Sequence, residues 1–214
     1  MTTAFDRDYL VEQSEHAGRT VKIFRDPEPE SPRGWDNFAT LACWHRRRDL
    51  GDKRIEGMDL AELREKVTAE GDEILAVLPL FAYEHGGITM STRAFSDAFD
   101  SGQVGWGYVT KSQYEQMGCK PGEVSEEKLR TYIQQEVSCY AEYLTGQVYG
   151  YRIVGRAGDE LDSCWGIFDL NYCRSEAKLS AEHSDDPADD RDAAELAQRA
   201  TYAGPSPAPG EVPA

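Results

Sequence analysis

The sequence lacks long apolar runs, paired cysteine motifs and clustered positive charge. No stretch approaches the ~20 apolar residues of a membrane span. Charges interrupt residues 5–12, so no secretory leader is expected either. Five cysteines are present, Cys43, Cys119, Cys139, Cys164 and Cys173. Their number is odd and no two are spaced CxxC, which points to free thiols in a reducing, cytoplasmic compartment. Positive charge is scarce, with 23 Lys and Arg against 39 Asp and Glu, a net charge of −16 and a pI near 4.6. The one basic run, Arg46-Arg47-Arg48, is followed at once by Asp49 and Asp52. Direct binding to a DNA or RNA backbone needs clustered Lys and Arg, so this balance argues against it. Nucleotide motifs are missing too. The glycines of residues 102–107 lead into a strand pattern, not a helix, and no Lys-Ser/Thr closes a phosphate loop. HExxH, GxSxG and EF-hand loops do not occur.

The chain does hold a core. It is 40% hydrophobic, with 11 Tyr, 7 Phe and 4 Trp in 214 residues, enough for one domain plus tails. Residues 35–172 carry 14 basic and 23 acidic side chains, and residues 173–214 carry 4 and 9. Acidity therefore belongs to the body as well as to the tail, where it favours solubility.

Residues 20–25 alternate like a strand, but prolines 27, 29 and 32 follow, so residues 1–34 read as an extended arm. Residues 38–44 read as a buried strand. Asp59 is placed to cap a helix over residues 60–69. The most apolar run, residues 73–83, is interrupted by Pro79, which argues against one long central strand. Residues 88–91 form a short strand. Residues 103–111 form another, with Val104, Trp106, Tyr108 and Thr110 on one face and Gly105 and Gly107 on the other. The clearest helix spans residues 125–144, with Leu129, Ile133, Val137, Tyr140 and Leu144 at 3.6 spacing. Residues 147–155 and 160–168 form a hairpin. From Cys173 large apolar residues thin out, and Asp185 to Asp192 is an acidic run before a Pro/Ala-rich end. The expected fold is a single α+β domain over residues 35–172. It has a mostly antiparallel sheet and two main helices, an N-terminal arm (1–34) and a disordered acidic tail (173–214).

Several constellations could carry chemistry. Cys43 and His45, two apart on a strand, share a face and with His85 are weak metal candidates, although no local pair has the usual ligand spacing. Burial of a lone Cys beside a strand-end His explains the same residues. Cys164 would need a base such as His85 or His45 to serve as a nucleophile. Ser163-Cys164-Trp165-Gly166 superficially resembles the segment around a papain-type nucleophile, but it lies late, in a hairpin strand, with no suitable His after it. Glu84-His85-Gly86-Gly87 is a turn after an apolar strand. There His85 could do acid–base work with Glu84, Asp49 or Asp100, or the glycines could simply make the turn. The acidity itself could imitate a phosphate array. No motif names a cofactor.

Taken in order, the segments Asp36-Asn37-Phe38 to Cys43-Trp44-His45, Leu50-Gly51-Asp52, Leu78-Pro79-Leu80 to Thr92, Asp100 to Trp106, Tyr140 to Tyr151 and Asp162-Ser163-Cys164-Trp165-Gly166 resemble a group of uncharacterised proteins encoded by bacteriophages and mobile elements. The likeness spans about residues 36–168 and implies a genomic setting without a mechanism. By analogy with small acidic phage accessory proteins, it implies binding of a host protein or small ligand in the host cytoplasm, including anti-defence action. The residues expected to meet a ligand or partner are His45, Asp49, His85, Gln103, Trp106 and Trp165. The alternatives are a small hydrolase or metal-dependent enzyme using Cys43, His45 and His85 with a carboxylate, and an acidic DNA mimic.

Overall fold

The computed structural model describes residues 4–120 and 122–189. In chain order its elements are α1 (Ala4–Tyr9), β1 (Leu10–His16), β2 (Arg19–Arg25), a 3₁₀ turn (Pro32–Gly34), β3 (Thr40–Cys43), β4 (Lys53–Arg54), α2 (Leu60–Ala69) and β5 (Ile74–Glu84). There follow β6 (Ile88–Ser91), β7 (Ser101–Thr110), α3 (Lys111–Gln116), α4 (Glu126–Leu144), β8 (Val148–Val154), β9 (Glu160–Phe168) and α5 (Leu170–His183). The chain is α+β, with two mostly antiparallel sheets. It divides into two compact units, residues 26–148 and a discontinuous unit made of residues 1–25 with those from 149 on. The body expected over residues 35–172 is thus divided near Val148.

The unit of residues 26–148 is a five-stranded sheet, ordered β4-β3-β7-β5-β6, with helices on both faces. On one face α4 lays Leu129, Ile133, Val137 and Tyr140 against Leu41, Leu80 and Val109. These helix residues are those the 3.6 spacing picks out. Ser125 caps the helix by accepting from the Lys128 amide, and Gly146, at φ +68°, follows its end. On the other face α2 packs Leu63 and Val67 over Ala42, Val77 and Tyr108. Asp59 and Glu62 form a reciprocal capping box at its start.

Two expectations for this sheet need correction. β5 runs unbroken through Pro79 for 11 residues. Its partner on one side, β6, pairs only from Phe81 to Glu84, so the strand edge beside Pro79 is open and tolerates a missing N–H. In β7 the register skips Val104 between Gln103 and Gly105, an irregularity that moves Val104 into the α4-side core while Trp106 and Tyr108 pack on the α2 side. The glycine strip is occupied by protein: a Cβ on Gly107 would lie 2.8 Å from Ile133 Cγ2, and one on Gly105 would strike the Ala42 carbonyl.

In the discontinuous unit the sheet order is β1-β2-β8-β9. The expected N-terminal arm therefore supplies two strands, with β2 paired to β8 from Thr20↔Val154 to Arg25↔Tyr149. The expected tail boundary at Cys173 falls inside α5. That helix buries Cys173, Ala177 and Ala181 against Val21, Ile23 and Ile153. Small residues at four-residue spacing let a helix sit close to a sheet without a large apolar stripe, which is why counting large side chains overlooks it. The rest of the expected tail, residues 190–214, lies outside the described residues.

Candidate functional site

The groups singled out at His45, Glu84 and His85 come together at one end of the five-stranded sheet, where β3 and β5 leave it and β7 enters. His45 lies two residues past β3 and Glu84 is the last residue of β5. The Glu84 carboxylate accepts from Arg47 Nη2 at 2.9 Å and Arg48 Nε at 3.0 Å. The basic run that looked isolated in the sequence folds back onto it. The His45 ring stands 3.7 Å from Glu84 Oε2 through Nε2, while its Nδ1 accepts from the Arg48 amide at 3.1 Å. An accepting Nδ1 assigns the neutral ring's proton to Nε2, facing the carboxylate. The Arg48 hydrogen bond, with the Arg47 and Arg48 charges nearby, holds the Glu84 carboxyl below the usual range. Glu84 is therefore an anion engaged by two guanidinium groups and not a free base.

His85 faces a different partner. Its Nδ1 lies 2.9 Å from Asp100 Oδ2, and its side chain is 72% exposed. Tyr83 stacks on the ring with centroids 6.2 Å apart, and Phe95 lies 5.6 Å from Tyr83. Tyr83, His85 and the Gly86-Gly87 turn line a cleft of about 410 Å³ whose other wall includes Leu144 and Thr145. A carboxylate-oriented His at a cleft mouth has the geometry of a general acid or base.

Asp100 also ends the loop between β6 and β7. Asp97 Oδ1 accepts from the Phe99 amide at 2.8 Å and the Asp100 amide at 3.3 Å, and the Ser101 hydroxyl donates to the Asp97 carbonyl. The turn is thereby fixed, and it presents Phe99 at 100% exposure. Sequence reasoning passed over Phe99, although a large aromatic between Ala98 and Asp100 in a turn was a visible signal.

The remaining candidates are placed as follows. Cys43 is buried in the α4-side core, and burial, reinforced by Asp52, pushes its thiol up to about 12. A thiol held neutral is poorly suited to attack or to bind metal. Asp49 is exposed with no side-chain partner among the described residues. The Gln103 amide donates to the Gly105 carbonyl of its own strand at 3.3 Å, and the Trp106 indole donates to the Met58 carbonyl at 3.0 Å. Cys164 and Trp165 belong to the discontinuous unit. Cys164 is exposed, and among the described residues no histidine hydrogen-bonds it. Trp165 covers Gly150 and packs 5.9 Å from Phe5 and 5.8 Å from Phe24, with the Arg152 guanidinium 5.4 Å from its ring.

Reading by motif also missed Arg33, in the proline-rich segment. Its side chain is 7% exposed, and it grips Asp52 through two bonds and Glu136 through a third. Glu84 is likewise held by Arg47 and Arg48, and Glu126 by Arg130 one helical turn on.

Among the described residues no group of three or more His, Cys, Asp or Glu side chains is arranged to hold a metal ion. Among them, no helix is long and apolar enough to cross a membrane. No protein-family model matches the chain, and no curated protein or solved structure is similar to it.

Proposed function

We propose that this chain is an accessory protein of the phage or mobile-element kind its sequence resembles, and that it acts by binding a host protein through the loop between β6 and β7. One observation carries the reading: Phe99 is fully exposed on a turn that Asp97 fixes in place. Burying a Phe side chain in a partner yields roughly 1.5–3 kcal/mol, and a pre-ordered turn lowers the entropy lost on docking. Asp97 and Asp100 flank the ring, so the partner it fits has an apolar pocket with a basic rim. Full-length protein and its Phe99→Ala variant are to be used as baits in host lysate, with thermal melts of both. The expected outcome is a partner held by the wild type and lost by the variant at an unchanged melting temperature. Equal capture by both baits, or repeated absence of any partner, refutes the reading.

A second reading rests on the His85–Asp100 pair at 2.9 Å, which supplies a general base to an enzyme acting at the Tyr83–His85 cleft. Any hydrolytic activity found in the purified protein should then vanish in His85→Ala and persist in Phe99→Ala.

A further inference from the structure

The five-stranded sheet has an edge that its own chain leaves open. β5 runs from Ile74 to Glu84, but β6 pairs with it only from Phe81 to Glu84. On the other side β7 pairs with it from Ile74 to Tyr83. The Glu84 amide donates to the Asp100 carbonyl, on the β7 side. Alternation from there turns the backbone groups of Phe81 and Tyr83 toward β6. Those of Val77 and Pro79 turn to the same side, where among the described residues no strand lies. The irregularity between Leu80 and Phe81 adds Val104 to β7 and leaves the alternation of β5 intact. Pro79 agrees with it, since a missing N–H is harmless only where no ladder bond is due. Among the described residues no hydrogen bond reaches this edge between Val77 and Pro79. The edge offers the Val77 N–H as a donor and the Val77 and Pro79 carbonyls as acceptors. Val77 is only 6% exposed, a position where an unpaired amide is uncommon.

The start of the same strand borders a cleft of about 390 Å³. Ile74 packs in the α2-side core, so its neighbours Glu73 and Leu75 point to the α4 side, where the cleft lies. Half-buried Leu75 and Val124 form its floor, over buried Tyr114 and Leu129. Lys111, Tyr114 and Glu115 share one face of α3, and Glu126 opens α4. Glu126 is held by Arg130. Among the described residues the side chains of Glu73, Glu115 and Lys111 have no ion pair and no hydrogen bond. Three carboxylates against Lys111 and Arg130 leave the rim one net negative charge.

We propose that β5 takes up a short extended segment of a basic partner protein as an added strand. The segment pairs with Val77 and Pro79, lays one arginine or lysine side chain across Leu75 and Val124, and sets its charge at Glu73 and Glu115. Strand addition draws affinity from main-chain bonds and specificity from a pocket for an alternate side chain, and β5 contributes to both. A long basic side chain suits the cleft because its stem is apolar and its tip charged, and one cation balances the rim. Pro79 interrupts the donors of the edge, which disfavours a long intermolecular sheet and selects a short segment. The surface shares no residue with the Phe99 loop, so either proposal can fail without the other.

Titration of the full chain with the capped peptide Thr-Val-Arg-Val-Thr, followed by NMR of the backbone amides, tests this. The Val77 amide should shift and its hydrogen exchange should slow. N-methylation of one alternate set of peptide amides should abolish binding, and N-methylation of the other set should leave it unchanged. Replacing the peptide's arginine with norleucine should weaken binding about two- to fivefold, the worth of an exposed ion pair. Glu73→Gln/Glu115→Gln should weaken the arginine peptide by the same factor and leave the norleucine peptide unchanged. Both carboxylates are exposed, so the melt of this variant should match the wild type. Phe99→Ala should bind the peptide as the wild type does. Absence of binding at millimolar peptide overturns the proposal, as does binding without a response at Val77. Equal binding by both N-methylated peptides, or equal affinity of the arginine peptide for Glu73→Gln/Glu115→Gln, overturns it too. Sedimentation of the free chain should show a monomer; a dimer that the peptide dissociates would assign the edge to a second copy and overturn the basic partner.

Discussion

Arg33→Met is expected to destabilise the protein by about 3–5 kcal/mol, the range for breaking a buried ion pair by removing one partner. The figure follows from the accounting of one guanidinium. Nε and Nη2 bind Asp52 side by side at 2.9 and 2.7 Å. Nη1 donates to Glu136 at 2.9 Å and to the Asn37 side chain at 3.1 Å, and Nη2 also donates to the Ala39 carbonyl at 2.7 Å. All five donors of the fork are used, in a position 7% exposed. The two carboxylates are themselves structural. Asp52 accepts from the Leu41 amide at the core strand β3, and Glu136 from the Phe38 amide, tying α4 to the chain entering that strand. Methionine fills the arginine stem but leaves two negative charges near each other without a cation. The triple variant Arg33→Met/Asp52→Asn/Glu136→Gln removes the charges together and should recover much of the loss. Arg33→Lys should recover little, because one ammonium cannot serve five acceptors in a plane. Urea unfolding followed by near-ultraviolet circular dichroism, with an unchanged slope on denaturant, measures each difference. A loss below about 1 kcal/mol for Arg33→Met would show that the network is not a buried unit, since that is the worth of an exposed pair.

The cysteines make a graded prediction. In native protein at pH 8 an aromatic disulfide reagent should react first at Cys164, which is exposed, more slowly at half-buried Cys119 and Cys139, and not at buried Cys43 and Cys173 without unfolding. Burial pushes both buried thiols to about 12, against an ordinary value of 9.0. The unfolded chain therefore ionises first, and the stability these thiols contribute is full below pH 9 and lost as pH rises toward 12. Cys43→Ala should be less stable at pH 7 but show a shallower fall between pH 9 and 10.5; an unchanged alkaline slope would refute the assignment. Gly107→Ala is expected to cost about 1–3 kcal/mol by overpacking, because its Cβ would sit 2.8 Å from Ile133 Cγ2. Combined with Ile133→Ala, the loss should be less than the sum of the two single losses, measured by denaturant titration.

Much of the fold was legible because local pattern and tertiary environment agree. α4 is the clear case: a serine cap, a 3.6-residue apolar repeat and a terminal glycine all describe one helix, and the buried residues are those of the repeat. Where the reading departed from the structure, the deciding information lay elsewhere in the chain. Whether Pro79 breaks a strand depends on how far β6 reaches, and that is a property of residues 81–91. Whether a helix of small residues folds depends on the strands beneath it, and α5 lies against β2, some 150 residues away in sequence. Arg33 sits in a proline-rich segment, and its partners at 52 and 136 cannot be inferred from residues 27–34.

The candidate sites follow a related logic, with one difference. Glu84 stood as a carboxylate that could partner His85 because the arginines that hold it are 36 and 37 positions earlier, so a purely local reading overstates the freedom of a charged residue. The opposite error conceals exposed groups that the core does not use. Phe99 has no motif, and in sequence it looks like an ordinary surface residue. Only the fold reveals that the Phe has no core to enter. A group whose partner is supplied by the fold is explained by stability alone. A group the fold leaves without a partner, on backbone that is otherwise well bonded, is not, and that distinction favours Phe99 over the Cys43 and Glu84 candidates that chemistry by residue type would choose first.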